Sequence, residues 1–216
     1  HHIVNVDNVY RPAEDSDQTL RAAVSLLRNI CNNKGEVTII EIGSGSGYVI
    51  GGLARELHLM NCKYRKLIGI DINPYACKLT MRAMDDIDVI QASLLSSLRC
   101  SLNPDLIIFN LPYLLGGNRS NSIDWLDAAI YLDYLSSNLI DELFNQITKM
   151  NFSFIILTYS SESMSIIEDS LANYGLRVNE RLINHFFFED IITSIITKSD
   201  KIVTTIRSRP SGREED

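Results

Sequence analysis

Short β-branched runs alternate along this chain with longer stretches in which apolar residues recur every three or four positions. The runs fall at residues 37–42, 66–71, 88–91, 105–109, 152–158, 182–188 and 191–197, and each predicts a buried strand. The first helix is expected near Ser16, with Leu20, Ala23, Val24 and Leu27 on one face and with Pro12, Glu14, Asp15 and Asp17 marking its start. A second should run from Gly47 to about Leu59, and a third over 75–84, with Asn73 as cap and Pro74 at the first helical position. Helical spacing returns at 132–150 and at 162–174, where Gly175 supplies the stop. This alternation predicts an α/β fold with a seven-stranded, mostly parallel sheet covered by helices on both faces. The last two runs meet at Glu189-Asp190 and predict a C-terminal antiparallel hairpin.

Composition narrows the class. The chain has 216 residues, 45% of them hydrophobic, which suits one domain with a full core, expected over residues 3–206. His1-His2 reads as a tag remnant, and the polar segment 207–216 as a disordered tail. No run approaches the roughly 20 apolar residues of a membrane span, and the start carries no secretory pattern, so a cytoplasmic protein is expected. Cys31, Cys62, Cys77 and Cys100 are widely spaced without a C-x-x-C pair, which argues for reduced thiols and no metal site. A net charge of -7 and a pI near 5.1 disfavour binding to a phosphate backbone. The basic residues Lys63, Arg65 and Lys66, and Arg207, Arg209 and Arg213, read as solvated loop and tail.

The segment Glu41-Ile42-Gly43-Ser44-Gly45-Ser46-Gly47 joins the first strand to a helix. Gly43, Gly45 and Gly47 let the backbone turn tightly and approach a ligand. Their spacing is G-x-G-x-G, and Tyr48 stands where a dinucleotide fingerprint wants glycine or alanine. That deviation favours S-adenosyl-L-methionine, which has no pyrophosphate to cradle. Glu41 can reach toward the cofactor's amino group. Asp71 ends the next strand, where a carboxylate can accept both ribose hydroxyls, and Ile72 would flank the adenine. Ser93 sits at the tip of the third strand, within reach of the adenine amine.

The tetrad Asn110-Leu111-Pro112-Tyr113 follows the fourth strand. Methyl transfer to an amide or aromatic amine requires a delocalised nitrogen lone pair to be aimed. The Asn110 side-chain oxygen can accept one N–H of such a group, and the carbonyl of Leu111 or Pro112 the other. These acceptors also stabilise the positive charge that develops on nitrogen. Pro112 stiffens the loop, and Tyr113 offers its ring to the planar group.

Together with Val9-Tyr10-Arg11-Pro12-Ala13-Glu14-Asp15-Ser16, these segments resemble the eukaryotic and archaeal HemK-related glutamine methyltransferases. The resemblance runs from Val9 to about Thr205. It implies a Rossmann-like class I methyltransferase that transfers methyl from S-adenosyl-L-methionine to the glutamine of the Gly-Gly-Gln loop in a class I release factor, leaving S-adenosyl-L-homocysteine. By position it implies that Ser16, Glu41, Gly43, Asp71, Ser93 and Leu94 line the cofactor, that Asn110 holds the substrate amide, and that Tyr10 and Pro12 close the pocket. It also implies a heterodimer with a small zinc-binding activator, expected on the third-strand edge at 87–90 with the helix 75–84 contributing, and a release factor met alone or with its GTPase partner. The chain departs from the family at Leu111, where N-P-P-Y is usual, and at Arg11 and Ser93, where acids are common. The loop after the tetrad, 114–121, is short. N-L-P-Y is itself typical of ribosomal RNA adenine dimethyltransferases, so an N6-adenine enzyme acting on RNA or DNA is the alternative, disfavoured by the acidic balance. A non-catalytic scaffold that keeps the cofactor fold is the third reading.

Overall fold

A computed structural model describes residues 14–111, 137–186 and 190–199. The chain opens with helix α1 (Glu14–Asn33) and continues β1 (Glu36–Ile42), α2 (Tyr48–Leu59), β2 (Lys63–Asp71), α3 (Pro74–Ala83), β3 (Asp88–Gln91) and β4 (Leu106–Asn110). After the undescribed segment come α4 (Ser137–Thr148), β5 (Phe154–Ser160), α5 (Met164–Asn173), β6 (Leu176–His185) and β7 (Asp190–Lys198). The seven strands form one sheet in the order β3-β2-β1-β4-β5-β7-β6. The first five are parallel to their neighbours, while β7 enters antiparallel beside β5 and pairs antiparallel with β6. The α/β class, the mostly parallel sheet, the terminal hairpin and the edge position of the third strand all match the expectations.

Strand periodicity sorts the core into two layers. Val37, Ile39, Leu106, Ile108 and Ile156 point to one face, where they bury Ala23, Leu27, Ile50, Leu53 and Leu57 of α1 and α2. Ile40, Ile42, Ile107, Phe109, Ile155 and Leu157 point to the other, against Leu143, Phe144 and Ile147 of α4 and Ile167 of α5. Chain direction along the sheet reverses between β1 and β4: β2 and β3 are added on one side of β1, the later strands on the other. Parallel α/β sheets bind ligands outside the carboxyl ends of the strands at such a switch point.

Three expectations need correction. Lys63, Arg65 and Lys66, read as solvated loop, are exposed residues of strand β2. The sixth strand begins at Leu176, six residues before the predicted start, because it is a sheet edge exposed on nearly every residue after Leu176, so no apolar alternation marks its first half. Cys31 and Cys62 are not reduced thiols but form a disulfide. The last helical turns of α1 and the entry to β2 bring their Cα atoms to 5.8 Å across 31 residues of sequence, a juxtaposition that spacing alone does not reveal. Cys77 is buried and free, Cys100 exposed and free. Among the described residues no group of three potential metal ligands occurs, and no helix is long and apolar enough to cross a membrane. The predicted helix start at 132, the loop 114–121, the joint at Glu189 and both terminal segments lie outside the described residues.

Candidate functional site

The carboxyl ends of β1, β2 and β4 lie side by side because these strands are parallel, and the glycine loop leaves β1 there; ligand crevices of parallel α/β sheets lie outside such ends. Gly43, Gly45 and Gly47 all have positive φ, of 67°, 55° and 79°. The amides of Gly43 and Ser44 donate to the Ile70 carbonyl at 2.7 and 3.0 Å, which folds the loop over the end of β2. From beneath, Thr80 of α3 anchors it: its hydroxyl donates to the Gly45 carbonyl at 3.1 Å and accepts from Ser44 Oγ at 2.9 Å. Gly47 is needed twice over. Its φ is left-handed, and a Cβ there would lie 2.8 Å from Ala83 Cβ and 3.0 Å from Thr80 Cα.

Asp71 stands where the sequence puts it. One carboxylate oxygen accepts the Gly45 amide and the other the Asn73 amide, both at 2.9 Å. Burial holds its pKa above the usual carboxylate value, and the backbone amides of Asn73, Gly45 and Ile72 offset part of that rise, so the half-buried carboxyl is supported by donors. Each oxygen keeps a second lone pair, enough for the two hydroxyls of a ribose. Beside it Ile72 is 39% exposed, an apolar flank suited to an adenine face. Ser93 is exposed at the end of β3, and Leu94 holds a left-handed φ of 50° while burying its side chain. A carboxylate, an uncovered glycine backbone and an apolar flank on one rim fit the ribose and adenine of S-adenosyl-L-methionine.

Glu41 is buried on the α2 side of the sheet, and its Oε2 accepts the Ile50 amide at 3.0 Å. Ile50 lies in the first turn of α2, so the carboxyl satisfies a helix donor that would otherwise be orphaned. Burial raises the Glu41 pKa well above its usual value, the Ile50 amide lowers it, and the charge of Asp71 raises it further.

Asn110 ends β4 on the face that carries Leu106 and Ile108, and therefore points toward α1. There its Nδ2 donates to Asp15 Oδ2 at 2.9 Å, although Asp15 has no place in the sequence-derived site. Asn110 Oδ1 is buried and has no hydrogen-bond partner among the described residues. An orphaned buried acceptor costs about 1–3 kcal/mol, which makes this oxygen a candidate to accept an N–H from a ligand. The neighbouring strands carry polar residues in the same cross-strand row: Asn110 pairs with Thr158, and Thr158 with Thr193. Thr19 of α1 joins Thr158 at 2.6 Å, and Thr158 joins Thr193 at 2.8 Å. Gln18 donates to the carbonyls of Leu182 and Ile191, and accepts from Asn184. Ser16 is buried in the first turns of α1, and Leu111 is buried with its amide on the Thr158 carbonyl at 2.9 Å. Tyr10, Pro12, Pro112 and Tyr113 lie outside the described residues. Asp15, Gln18 and Thr19 escaped the sequence reading because their partners are remote in the chain; polar residues on the inner stripe of an amphipathic helix were the available signal.

No family model matches the chain. It is 33% identical over 110 residues to a protein named as an N5-glutamine methyltransferase of Methanocaldococcus jannaschii, covering 49% of this chain and 48% of that one. It is 30% identical over 113 residues to a release factor glutamine methyltransferase of Fusobacterium nucleatum, covering 50% of this chain and 29% of that one. The chain thus spans about half the length of the first of these relatives and less of the second. Among solved structures, ribosomal protein L11 methylase of Lactobacillus delbrueckii superposes with a TM-score of 0.61 at 14% identity, over 88% of this chain and 81% of the other. The fold is that of the class I methyltransferases. The Mtq2-Trm112 complex of E. cuniculi, responsible for methylation of the eRF1 termination factor, superposes at 0.55 with 16% identity, over 89% and 99%. Magnesium protoporphyrin IX methyltransferase of Synechocystis, with bound SAM, superposes at 0.55 with 14% identity, over 89% and 88%.

Proposed function

We propose that this protein transfers a methyl group from S-adenosyl-L-methionine to the side-chain nitrogen of a glutamine, in the Gly-Gly-Gln motif of a class I translation release factor. The observation that carries this reading is Asn110 Oδ1, a buried acceptor with no partner among the described residues, beside a crevice whose other rim suits the cofactor. The cofactor supplies an electrophilic methyl on sulfur, and the chain does the rest. Asn110 accepts one N–H of the substrate carboxamide, and a backbone carbonyl of the tetrad accepts the other, so the lone pair faces the crevice. Positive charge developing on nitrogen is stabilised by the same acceptors. No strong general base is needed, because a methylated amide cation sheds its proton to water. The two curated relatives carry the same activity in their names, which supports the choice of glutamine.

A small zinc-binding activator belongs to this proposal, as does delivery of the release factor by its GTPase. In support, β3 is a four-residue edge strand with Val89 and Ile90 half-buried, and α3 beside it exposes Tyr75 and Met81. Such an edge favours strand addition by a partner. An adenine amine offers the same N–H geometry to Asn110, so structured RNA and DNA form the second arm of the test. The deciding experiment is transfer of labelled methyl, with the activator co-expressed, to a release factor and to its Gln→Ala variant. Label that vanishes with the glutamine establishes the reading; label on nucleic acid alone replaces it with adenine methylation.

A further inference from the structure

We propose that Asp15 is the positioning residue that sets which end of the Asn110 carboxamide faces the acceptor crevice. This inference deepens the reading above by explaining how the site would choose a carboxamide over a carboxylate. The two ends of an asparagine carboxamide have nearly the same shape, so only the hydrogen-bond network decides which is oxygen and which is nitrogen. A carboxylate can only accept. With Asp15 Oδ2 2.9 Å away, the near atom of Asn110 must be the donating nitrogen, and the oxygen is turned to the other side, where it is buried with no partner among the described residues. Asp15 is itself only 2% exposed, so water does not compete for the bond.

The helix that carries Asp15 is fixed with unusual care. Thr19, one turn on, donates to the Asp15 carbonyl at 2.7 Å, and Thr158 then donates to Thr19 at 2.6 Å. Gln18 reaches two backbone carbonyls on β6 and β7. These contacts hold the first turns of α1 against the strand row that begins at Asn110, so the carboxylate is pre-organised before any substrate arrives. A glutamine or adenine N–H then meets an acceptor. A glutamate carboxylate meets the same acceptor and is repelled, because neither partner has a proton to give. Were the amide reversed, its N–H would welcome the carboxylate.

The test uses the full chain with Asp15→Asn and Asp15→Ala. Asn at 15 keeps the size but can donate or accept, so both orientations of Asn110 become populated. The first readout needs no substrate: in 15N spectra the Asn110 side-chain amide, assigned by its loss in Asn110→Ala, should show one pair of resonances and slowed proton exchange. Asp15→Ala should lose the slowed exchange, and Asp15→Asn should broaden or double the pair. The second readout is kinetic. Methyl transfer to the release factor should fall by roughly 10²-fold in kcat, the scale of a misaimed reacting group, while cofactor affinity stays unchanged. A release factor with Gln→Glu in its Gly-Gly-Gln motif should compete with substrate on the Asp15→Asn enzyme and not on wild type. Unchanged Asn110 resonances in both variants overturn the proposal, as does a loss of activity matched by loss of folded protein with kcat per folded molecule intact. If wild type methylates no release factor, the functional reading falls, while the spectra still decide the role of Asp15.

Discussion

The two halves of the crevice are held together by different kinds of contact. On the cofactor side every supporting bond is short in sequence: Glu41 to Ile50 spans 9 residues, Asp71 to Gly45 spans 26, and Ser44 to Thr80 spans 36. On the acceptor side Asn110 leans on Asp15 across 95 residues, Thr19 on Thr158 across 139, and Gln18 on Ile191 across 173. One continuous stretch from β1 to α3 can therefore build the cofactor rim, whereas the acceptor rim exists only once α1 has docked on β4, β5 and β7. The cofactor rim is a local structure and the acceptor rim a tertiary one. Changes in the first should act on cofactor affinity, and changes in the second on turnover.

The sharpest way to break this division is Asn110→Ala. It removes an acceptor that meets the substrate nitrogen and no part of the glycine loop. Loss of one group stabilising transition-state charge costs about 10²–10³ in kcat, or roughly 3–4 kcal/mol. Cofactor affinity, read by calorimetry, should stay within about threefold of wild type, less than 1 kcal/mol. The variant removes a buried orphan oxygen together with the bond to Asp15, two changes of opposite sign in stability. Cofactor binding that collapses with turnover would show the two rims to be one unit.

Gly47→Ala probes the local half. Its left-handed φ of 79° and the 2.8 Å approach to Ala83 demand backbone movement at the start of α2. Left-handed strain and overpacking each cost about 1–3 kcal/mol, so a loss of about 3 kcal/mol in urea unfolding is expected. The loop shift should also weaken cofactor binding. Asp71→Ala should follow with a smaller effect. It leaves the amides of Gly45 and Asn73 without their acceptor and removes a charge-assisted bond to ribose, which together predict roughly 10–100-fold weaker cofactor binding. At saturating cofactor its kcat should return to near wild type. A kcat that stays low would place Asp71 in the acceptor rim as well.

The same division explains what the sequence disclosed. Strands β1, β4 and β5 and the glycine loop were legible because their apolar runs are buried on both faces and the loop's turn residues are glycines at fixed spacing. Asp71 was legible from its place after a buried strand. Asn110 was identified from its place at the end of the fourth strand, but what orients it was not, because Asp15 reads locally as an ordinary acidic residue in a first helical turn. Thr158 and Thr193 read as strand formers, and only the sheet register puts them in one row with Asn110. The Cys31–Cys62 bridge was missed for the same reason, since its geometry is a product of α1 docking beside β2. The early part of β6 was hidden because an exposed edge strand has no buried face to write a pattern.

Glu41 offers the mildest and most diagnostic test, because it belongs to the cofactor rim by sequence and to the core by burial. In the folded protein its pKa is raised above the ordinary value of 4.5, chiefly by desolvation. A carboxyl with a raised pKa binds more protons folded than unfolded, so its contribution to stability is largest below the unfolded pKa and declines as pH rises toward the folded one. Glu41→Gln keeps an oxygen for the Ile50 amide but cannot ionise. The variant should therefore gain stability relative to wild type as the pH of urea unfolding is raised from 5 to 8, with cofactor affinity changed by less than about tenfold, 1.4 kcal/mol. A parallel pH dependence in the two proteins would mean that Glu41 is ionised in the fold. A larger loss of affinity would mean that its carboxylate faces the cofactor rather than only closing the first turn of α2. Either result would redraw the boundary between the residues that build the cofactor rim and those that touch its ligand.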